Sequence, residues 1–451
     1  MTSTPEPTAE DLLASTVVQD PFVDLTVRDL AVAAVLDTWS IGIAGLTEPA
    51  ARSVRATLHE SIGGLPVWRG PGRHTSADLA LLHGTACHAL DWDDYMHPMH
   101  GHCSSVLLPT AWSVALERNC TGSELMEAYI IGYQVNWLAS LVLSHGHYRR
   151  GWHATSTIGV LGATAAAARL MGLTAPQCAA ALGIAASMAG GLQVNFGSPV
   201  KALHAGLAAR SAVQAAALAE AGMTAQRAWL TGTHGFLAVL GGDADPAAAH
   251  EIVRSAMDGP HGITTVMGLV QKPYTSCGCS HAAVDAVAGL TADLSVDAIE
   301  RIEVHVDPSV TRTMRETLPT DSFTSRYSVS WVVAVAAADG TAGPQQFSAD
   351  SISRPEVLRL RERVDVTTDL VVGDDERFAA RVVVHTAQER REATVRHARG
   401  HPLNPMTTAD RRTKQEQALG LVTDNPAALA DLLATLPECE DLATLAVDIM
   451  R

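Results

Sequence analysis

The hydrophobic pattern between about residues 27 and 260 predicts one helix after another. Five segments rich in Ala and Leu are apolar around most of the helical circumference rather than along one stripe. A helix of this kind must pack inside a multi-helix body, because it cannot face water. The predicted helices are 103–119, 123–143, 155–171, 176–189 and 202–221. Small residues in 162–168 and 185–191 favour close approach of helix backbones.

The pattern changes near residue 270. Apolar and polar residues alternate from Ile302 to Val306, and the β-branched segments 381–385 and 393–397 are also typical of strands. Predicted helices lie between these segments, at 281–294, 328–338 and 354–363. After Pro405 the helical pattern returns, at 408–420, 426–435 and 440–450.

These patterns predict a mainly α protein with two domains. The C-terminal helices pack most simply on the first helical body, so the large all-helical domain is built from both chain ends, 1–267 with 404–451. The smaller domain, 268–403, is expected to be α+β. A chain of 451 residues has enough apolar content for two cores.

Composition excludes several classes of function. The formal net charge is −16, and the chain has no basic stripe with interleaved aromatics, which argues against nucleic-acid binding. Residues 1–11 lack the basic and apolar regions of a signal peptide, and no uninterrupted apolar run has membrane-spanning length. The sequence therefore predicts a cytoplasmic protein with no membrane partner.

The cysteines fit reduced thiols better than a disulfide framework. They are seven in number and mostly scattered along the chain. Only Cys277 and Cys279 are close together, and a single C-x-C pair is a weak indication of a metal site. Packing of small buried residues is the simpler interpretation of this pair.

Residues 88–102 contain four histidines and three aspartates without any Lys or Arg. The histidines are His88, His97, His100 and His102, and the aspartates are Asp91, Asp93 and Asp94. These residues are interleaved with Trp, Tyr and Met side chains that favour burial. Acids and imidazoles against apolar groups have shifted pKa values, which concentrate at functional sites. A polar surface loop is the alternative interpretation.

Lysine is scarce in this chain. Among 32 basic residues only Lys201, Lys272 and Lys414 are lysines. A compact ammonium offers point-charge contact and proton exchange that a guanidinium does not, so a lysine in this background indicates a specific role. Lys201 and Lys272 lie beside prolines and are candidate site residues, whereas Lys414 is expected on an exposed helix surface. Codon bias is the alternative explanation.

The candidate catalytic residues are Asp91, His102 and His153, together with Lys201 and Lys272. His153 lies before a predicted long helix, where backbone N–H groups and a Thr hydroxyl are able to hold an anionic oxygen. Carboxylate, imidazole and ammonium groups together suit proton abstraction next to a carboxylate, with lysines neutralising the enediolate. Such chemistry requires no metal, and we expect the protein to use no cofactor.

Three other interpretations compete with this one. A metal hydrolase could use His88, Asp91, Asp93 and His97, but their spacing matches no standard metal signature. An isoprenoid synthase also carries an Asp-rich helix, yet the acids of 91–94 have a different spacing, and a large α+β domain is unexpected there. A noncatalytic helical scaffold leaves the density of acids and imidazoles unexplained.

The chain resembles the MmgE/PrpD family through motifs that occur in order along nearly its whole length. The motifs are His88-Ala-Leu-Asp-Trp-Asp-Asp94 with His102, Gly151-Trp-His153-Ala-Thr-Ser156, Lys201-Ala-Leu-His-Ala-Gly206, Lys272-Pro-Tyr274 with Ser280-His281, and Arg326-Tyr-Ser328 before an Ala-rich helix. The family contains 2-methylcitrate dehydratase, cis-aconitate decarboxylase and iminodisuccinate epimerase. The resemblance implies a large helical domain, a smaller lid domain, a homodimer, and cofactor-free acid/base chemistry on small anionic polycarboxylates.

The resemblance also assigns residues. It places Asp91, His102, His153, Lys201 and Lys272 on active-site positions of the cis-aconitate decarboxylases. Three further positions, proposed to bind substrate, depart from that enzyme: Tyr95 stands where it has Thr, Cys277 where it has a histidine, and Trp331 where it has a tyrosine. In addition, His102-Cys103-Ser104 replaces the usual His-Pro-Ser. These departures bear on the choice of substrate and leave the acid/base residues in place.

The sequence thus predicts a cofactor-independent lyase, a dehydratase or decarboxylase, with proton transfer by Asp91 and His102. His153, Lys201 and Lys272 would bind carboxylates. The alternatives are an isomerase or epimerase on a related dicarboxylate such as iminodisuccinate, and a noncatalytic binding protein on the same fold.

Overall fold

The computed structural model describes residues 6–20, 24–314, 318–373, 376 and 378–450. Within these residues the chain forms two compact units. The helical unit contains the chain up to Ala89, Asp93–Val270 and the chain from Thr408 onward, and the mixed unit contains Leu90–Trp92 and Gln271–Thr407. The chain therefore enters the mixed unit briefly at Leu90–Trp92, a step that no sequence pattern indicated. The boundaries of independently folding domains stay a proposal.

The helical unit confirms the mainly α fold class. Its helices are Ala9–Val18, Leu25–Gly45, Pro49–Thr57, Ser76–Ala89, Ser104–Arg118, Gly122–Arg149, Ala154–Thr157, Gly159–Leu170, Ala175–Met188, Pro199–Glu220, Phe236–Leu240, Ala249–Met257, Thr408–Leu419, Pro426–Leu433 and Leu442–Met450. Two short antiparallel pairs join Leu65–Pro66 to Arg73–His74 and Tyr95–Met96 to Leu269–Val270. The predicted helix 155–171 is divided at Ile158, so His153 precedes a four-residue helix rather than a long one.

No single helix among the described residues is both long and apolar enough to cross a membrane, although Leu25–Gly45 and Pro49–Thr57, taken together as a pair bent by 74°, meet the length and composition test.

Small residues bring the helices that carry the site into close contact. A Cβ atom on Gly84 would lie 2.9 Å from the Cα of Gly206, and one on Gly206 would lie 2.2 Å from Oγ1 of Thr85. The helices Ser76–Ala89 and Pro199–Glu220 therefore pack backbone against backbone. This contact fixes His88, at the end of the first helix, relative to the first turn of the second. Interiors are close-packed, and any larger side chain at either glycine would force the helices apart.

The mixed unit has a four-stranded sheet with helices packed on it. Its helices are His281–Thr291, Pro308–Thr313, Ser322–Ser325, Val329–Asp339, Ala349–Ile352 and Pro355–Arg361. The strand order is Val364–Thr367, Arg301–Val306, Ala380–His385, Arg390–Val395. The first pair is parallel, with Ile302 opposite Val364, and the other two pairs are antiparallel. The α+β character is as predicted, and the strand Val364–Thr367 was not predicted.

Lys414 is buried, so the prediction of an exposed lysine was wrong. Its side chain is 3% exposed, and Nζ donates a hydrogen bond to Oδ2 of Asp37 over 2.7 Å. Asp37 is 2% exposed and lies on the helix Leu25–Gly45. The helix Thr408–Leu419 is mostly polar in sequence, which suggested a solvated face, but this pairing turns one of its charged residues inward.

Candidate active site

The acid- and imidazole-rich segment is mostly buried, which contradicts the alternative of a polar surface loop. Asp93 and Asp94 have no exposed surface, and His88 and His97 are 2% and 6% exposed. His88 ends the helix Ser76–Ala89, and the segment that follows carries the charged residues to the start of Ser104–Arg118. Burying this many ionisable groups is costly unless they are paired, so their partners define the site.

The carboxylate of Asp93 contacts the rings of two histidines, His88 and His102. Its Oδ2 accepts a hydrogen bond from Nδ1 of His88 over 2.8 Å and lies 3.3 Å from Nδ1 of His102. The carbonyl oxygen of Asp93 is also 3.3 Å from Nδ1 of His102. The main-chain N–H of His102 donates to Oγ1 of Thr155 over 3.0 Å. The ring of His102 is thereby oriented through Nδ1.

The charge state of this group follows from its surroundings. Burial opposes ionisation of Asp93, but the neighbouring imidazoles outweigh it and hold the pKa of this carboxyl well below its usual value. Burial lowers the pKa of His88 to about 4, against the attraction of Asp93. His88 is therefore neutral at physiological pH and donates its Nδ1–H to an ionised Asp93. Among the described residues no group accepts or donates a hydrogen bond at Nε2 of His88.

His88, Asp93 and His102 also have the composition of a metal site. One potential ligand atom from each lies within 4.8 Å of the others. Imidazole nitrogen and carboxylate oxygen suit zinc and similar divalent ions. The structure keeps Asp93 engaged with both rings, so a metal would have to replace those hydrogen bonds.

His153 forms a second group with residues at the start of the helix Pro199–Glu220. Its Nδ1 lies 3.0 Å from Nδ1 of His204, and its ring meets Phe196 edge-on with centroids 4.9 Å apart. Nζ of Lys201 lies 5.7 Å from the centroid of Phe196. Burial, helped by nearby positive groups, holds the pKa of His153 well below its usual value. His153 is therefore a neutral imidazole beside a buried lysine.

The positions of His88, His102 and His153 are linked through ring contacts. The His88 and His102 rings are 4.6 Å apart between centroids, and those of His88 and His153 are 5.5 Å apart. Tyr95 lies 6.3 Å from His102 by the same measure. The helical unit thus brings together four of the predicted site residues, His102, His153, Tyr95 and Lys201.

Sequence reasoning missed His204 and did not include His88 among the candidate catalytic residues. The spacing of Lys201 and His204 was a usable signal, since residues three apart lie on one helix face. The pairing of His88 with Asp93 had a weaker signal, because the segment between them is not helical beyond Ala89.

Asp94 is a buried acid of a different kind. Its Oδ2 accepts a hydrogen bond from Oγ of Ser104 over 2.5 Å, and the same hydroxyl lies 2.6 Å from Oη of Tyr129. Burial raises the pKa of Asp94 to about 8. The two adjacent aspartates therefore differ in charge at neutral pH, with Asp93 ionised and Asp94 protonated.

Asp94 is expected to make the protein less stable as pH rises from about 6.5 to about 8, through differential proton binding. Its folded-state pKa is above its unfolded value of 3.8, so the folded form keeps a proton that the unfolded form has lost. Asp94→Asn should remove this slope, at most about 1.4 kcal/mol per pH unit. Urea unfolding of both proteins across this range measures it, and parallel pH profiles would contradict the assignment. The buried histidines with low pKa values titrate below this range.

The mixed unit contains Lys272 and Asp91. Nζ of Lys272 donates to Oδ1 of Asp91 over 2.9 Å and also to its carbonyl oxygen. The Lys272 side chain has no exposed surface, and that of Asp91 is 7% exposed. Asp91 has a φ of 51°, in the left-handed region, which aspartate tolerates better than most residues. A single lysine therefore binds both the side chain and the strained main chain of Asp91.

Cys277 and Trp331 also belong to the mixed unit. Cys277 is half-buried, and its Sγ lies 3.4 Å from Sγ of Cys279. Trp331, in the helix Val329–Asp339, has no exposed surface and lies in the hydrophobic core of this unit. The predicted site residues thus fall into two sets: Asp91, Lys272, Cys277 and Trp331 lie in the mixed unit, and His102, His153, Tyr95 and Lys201 lie in the helical unit.

Comparison with known proteins identifies the family. The MmgE/PrpD N-terminal domain model matches residues 11–249, and the C-terminal domain model matches residues 274–435. Cis-aconitate decarboxylase of Homo sapiens is 28% identical over 347 residues, 74% of this chain and 70% of that protein. The Aspergillus terreus cis-aconitate decarboxylase is 28% identical over 308 residues, 63% of this chain and 62% of its own length. The two domain models together cover most of the chain, which therefore belongs to the MmgE/PrpD family.

Proposed function

We propose that this protein is a lyase that removes carbon dioxide or water from a small polycarboxylate by proton transfer next to a carboxylate. The observation that carries the proposal is the buried His88–Asp93–His102 group. An ionised carboxylate there orients His102 through Nδ1, as expected for an imidazole that moves protons. The relatives named cis-aconitate decarboxylase support a tricarboxylate or dicarboxylate as the substrate class.

His102 is the proposed proton-transfer residue of the helical unit. Its side chain is 15% exposed, whereas those of His88 and Asp93 have no exposed surface. Nδ1 faces Asp93, so Nε2 is the atom proposed to exchange a proton with substrate. Asp93 stabilises the imidazolium once formed, because a nearby carboxylate favours the charged ring. Asp91 is the proposed second acid/base residue, and His153 is proposed to donate a hydrogen bond to a substrate oxygen.

Lys201 and Lys272 are proposed to bind carboxylates and to neutralise the charge that develops when the α-proton leaves. Both side chains are buried, where electrostatic interactions exceed those in water. Tyr95, Cys277 and Trp331 are proposed to select among polycarboxylates. Because Trp331 has no exposed surface, its influence would act through the side chains packed against it.

A mass-spectrometric assay tests the proposal. Purified protein is incubated with cis-aconitate, 2-methylcitrate, citrate and iminodisuccinate, with and without EDTA. Loss of carbon dioxide identifies a decarboxylase, and loss of water identifies a dehydratase. A product of unchanged mass that separates from the substrate by chromatography identifies the isomerase or epimerase alternative, and absence of any product on a broad panel favours a binding protein. We expect turnover to survive EDTA; a loss restored by a divalent ion would contradict the metal-free mechanism and make His88, Asp93 and His102 the first candidate ligands.

Replacement of Lys201 or Lys272 by arginine is expected to lower activity. A guanidinium is larger than an ammonium and cannot reproduce its point-charge contact. Lys201→Arg and Lys272→Arg should each lower kcat/KM about ten- to a hundredfold, the scale of a lost charged hydrogen bond. The control is Arg254→Lys, a charge-conserving change at a side chain that is 51% exposed. Equal activity of all three variants would mean that lysine scarcity reflects codon usage.

A homodimer is also proposed. It follows from the family resemblance, and exposed apolar side chains on the helical unit support it. Val194 is 73% exposed, and Leu192 and Leu207 are 51% and 44% exposed. Sedimentation equilibrium of wild type and Leu207→Glu distinguishes a dimer that uses this surface from a monomer.

A further inference from the structure

The two close cysteines of the mixed unit have a geometry suited to reversible oxidation. Cys277 precedes the short 3₁₀ helix Gly278–Ser280, which contains Cys279, so both thiols project from one tight turn. Their sulfurs are 3.4 Å apart, and the disulfide distance is about 2.05 Å. The main-chain N–H of Cys277 donates to the carbonyl oxygen of Arg326 over 3.2 Å, which anchors the turn. The two thiols are therefore in direct contact before any bond forms.

The two thiols are also unequal. The hydrogen bond between the two thiols lowers the pKa of Cys277, with a further contribution from the Lys272 ammonium, against burial and the Asp91 carboxylate. The same interaction raises the pKa of Cys279 well above its usual value. Cys277 is half-buried, and Cys279 is buried. A redox-active pair has this arrangement: one reachable thiol of lowered pKa and one neighbouring thiol that resolves its oxidised form.

We propose that Cys277 and Cys279 are a redox modification site that hydrogen peroxide converts to an intramolecular disulfide. The Cys277 thiolate attacks one peroxide oxygen, forming an S–O bond while the O–O bond breaks and hydroxide leaves. Cys279 then loses its proton and attacks the Cys277 sulfur, and the S–O bond breaks with loss of a second hydroxide. Two thiols and one peroxide give one disulfide and two waters, and a dithiol reductant reverses the change.

The modification has a predicted effect on turnover, and this part rests on the proposed function. Cys277 is a proposed substrate-binding residue, and the disulfide removes the thiol through which it would contact the substrate. Activity on the polycarboxylate substrate should therefore fall in proportion to the fraction of oxidised protein, and dithiothreitol should restore it. Disulfide formation is measured by mass, independently of turnover. A failure of the redox proposal can therefore be distinguished from a failure of the proposed function.

The experiment treats the reduced full-length protein with limiting hydrogen peroxide and then blocks free thiols for peptide mass spectrometry. Wild type should lose two of its seven thiols and yield one peptide with Cys277 linked to Cys279. Cys279→Ser, which keeps a hydrogen-bond donor, should form no disulfide, and dimedone should trap the Cys277 sulfenic acid. Cys120→Ser, a half-buried cysteine of the helical unit, is the matched control and should behave as wild type.

Three results would overturn the proposal. They are an unchanged thiol count in wild type, oxidation that stops at a sulfinic or sulfonic acid on Cys277, and a disulfide that joins Cys277 to a cysteine other than Cys279. A wild-type disulfide in a protein without turnover on any polycarboxylate would support the modification site and contradict the proposed function instead.

Discussion

Replacing His102 with alanine is expected to lower kcat about a hundredfold or more while the protein remains folded, the usual scale for loss of a general acid or base. His102 is the most exposed member of the group that Asp93 organises. The alanine variant lacks Nε2 of His102, the atom proposed to exchange a proton with the substrate. Steady-state kinetics with the substrate found by the mass-spectrometric assay, with circular dichroism to verify folding, measure the effect.

Two further variants distinguish a catalytic effect of the His102 substitution from a structural one. Asp93→Asn keeps the shape of the group but removes the charge that stabilises an imidazolium, so the pH profile of kcat should shift and not only its magnitude. His59→Ala, at an exposed position, is the control and should leave kcat unchanged. If His102→Ala retains wild-type kcat, the buried group has a structural role only.

Asp91→Asn is expected to cause a loss of similar size, about a hundredfold in kcat. The Lys272 ammonium pairs with this carboxylate, so the amide variant also leaves a buried lysine with a weaker partner. Thermal unfolding must therefore accompany the kinetics. A fall in the midpoint with normal kcat would assign the pair to stability, whereas normal stability with low kcat supports a role in catalysis.

The fold was largely predictable, because the elements are long and their periodicity is strong. All-round apolar segments gave the helices Ser104–Arg118 and Pro199–Glu220 within a few residues. The strand Val364–Thr367 was missed because four residues, alternately half-buried and exposed, carry too short a pattern. The break at Ile158 was missed for a different reason: Ala-rich composition does not mark where one helix stops and the next begins.

The candidate site was predictable in composition but not in its pairing. The density of acids and imidazoles in 88–102 was visible in the sequence. The partner that each neighbouring aspartate binds was not. Asp91 pairs with Lys272, 181 positions away, Asp93 pairs with two histidines, and Asp94 pairs with Ser104. Such choices depend on tertiary contacts and burial, which also set opposite directions for the pKa values of Asp93 and Asp94.

Lys414 shows most clearly that the sequence does not reveal which distant residues pair, because its partner Asp37 is 377 positions away. Lys414→Met is expected to lower the free energy of unfolding by about 3–5 kcal/mol, which is the cost of leaving one member of a buried ion pair without its partner. Burial raises the pKa of Asp37, and the attraction of Lys414 opposes that rise. Without the lysine, Asp37 should bind a proton in the folded state over a wider pH range. A raised folded-state pKa makes stability fall as pH rises above the ordinary range of an aspartate, so the deficit should grow with rising pH.

Urea unfolding of a small set of variants tests this expectation. The control is Arg412→Ala on the same helix, whose ion pair with Glu416 is partly exposed and should contribute about 1 kcal/mol or less. The double variant Asp37→Leu with Lys414→Met replaces both charges by apolar groups and should recover most of the loss, since a buried ion pair contributes little beyond an apolar pair of similar volume. If the two substitutions instead lower stability additively, the cost arises from packing around each side chain and not from an unpaired buried charge.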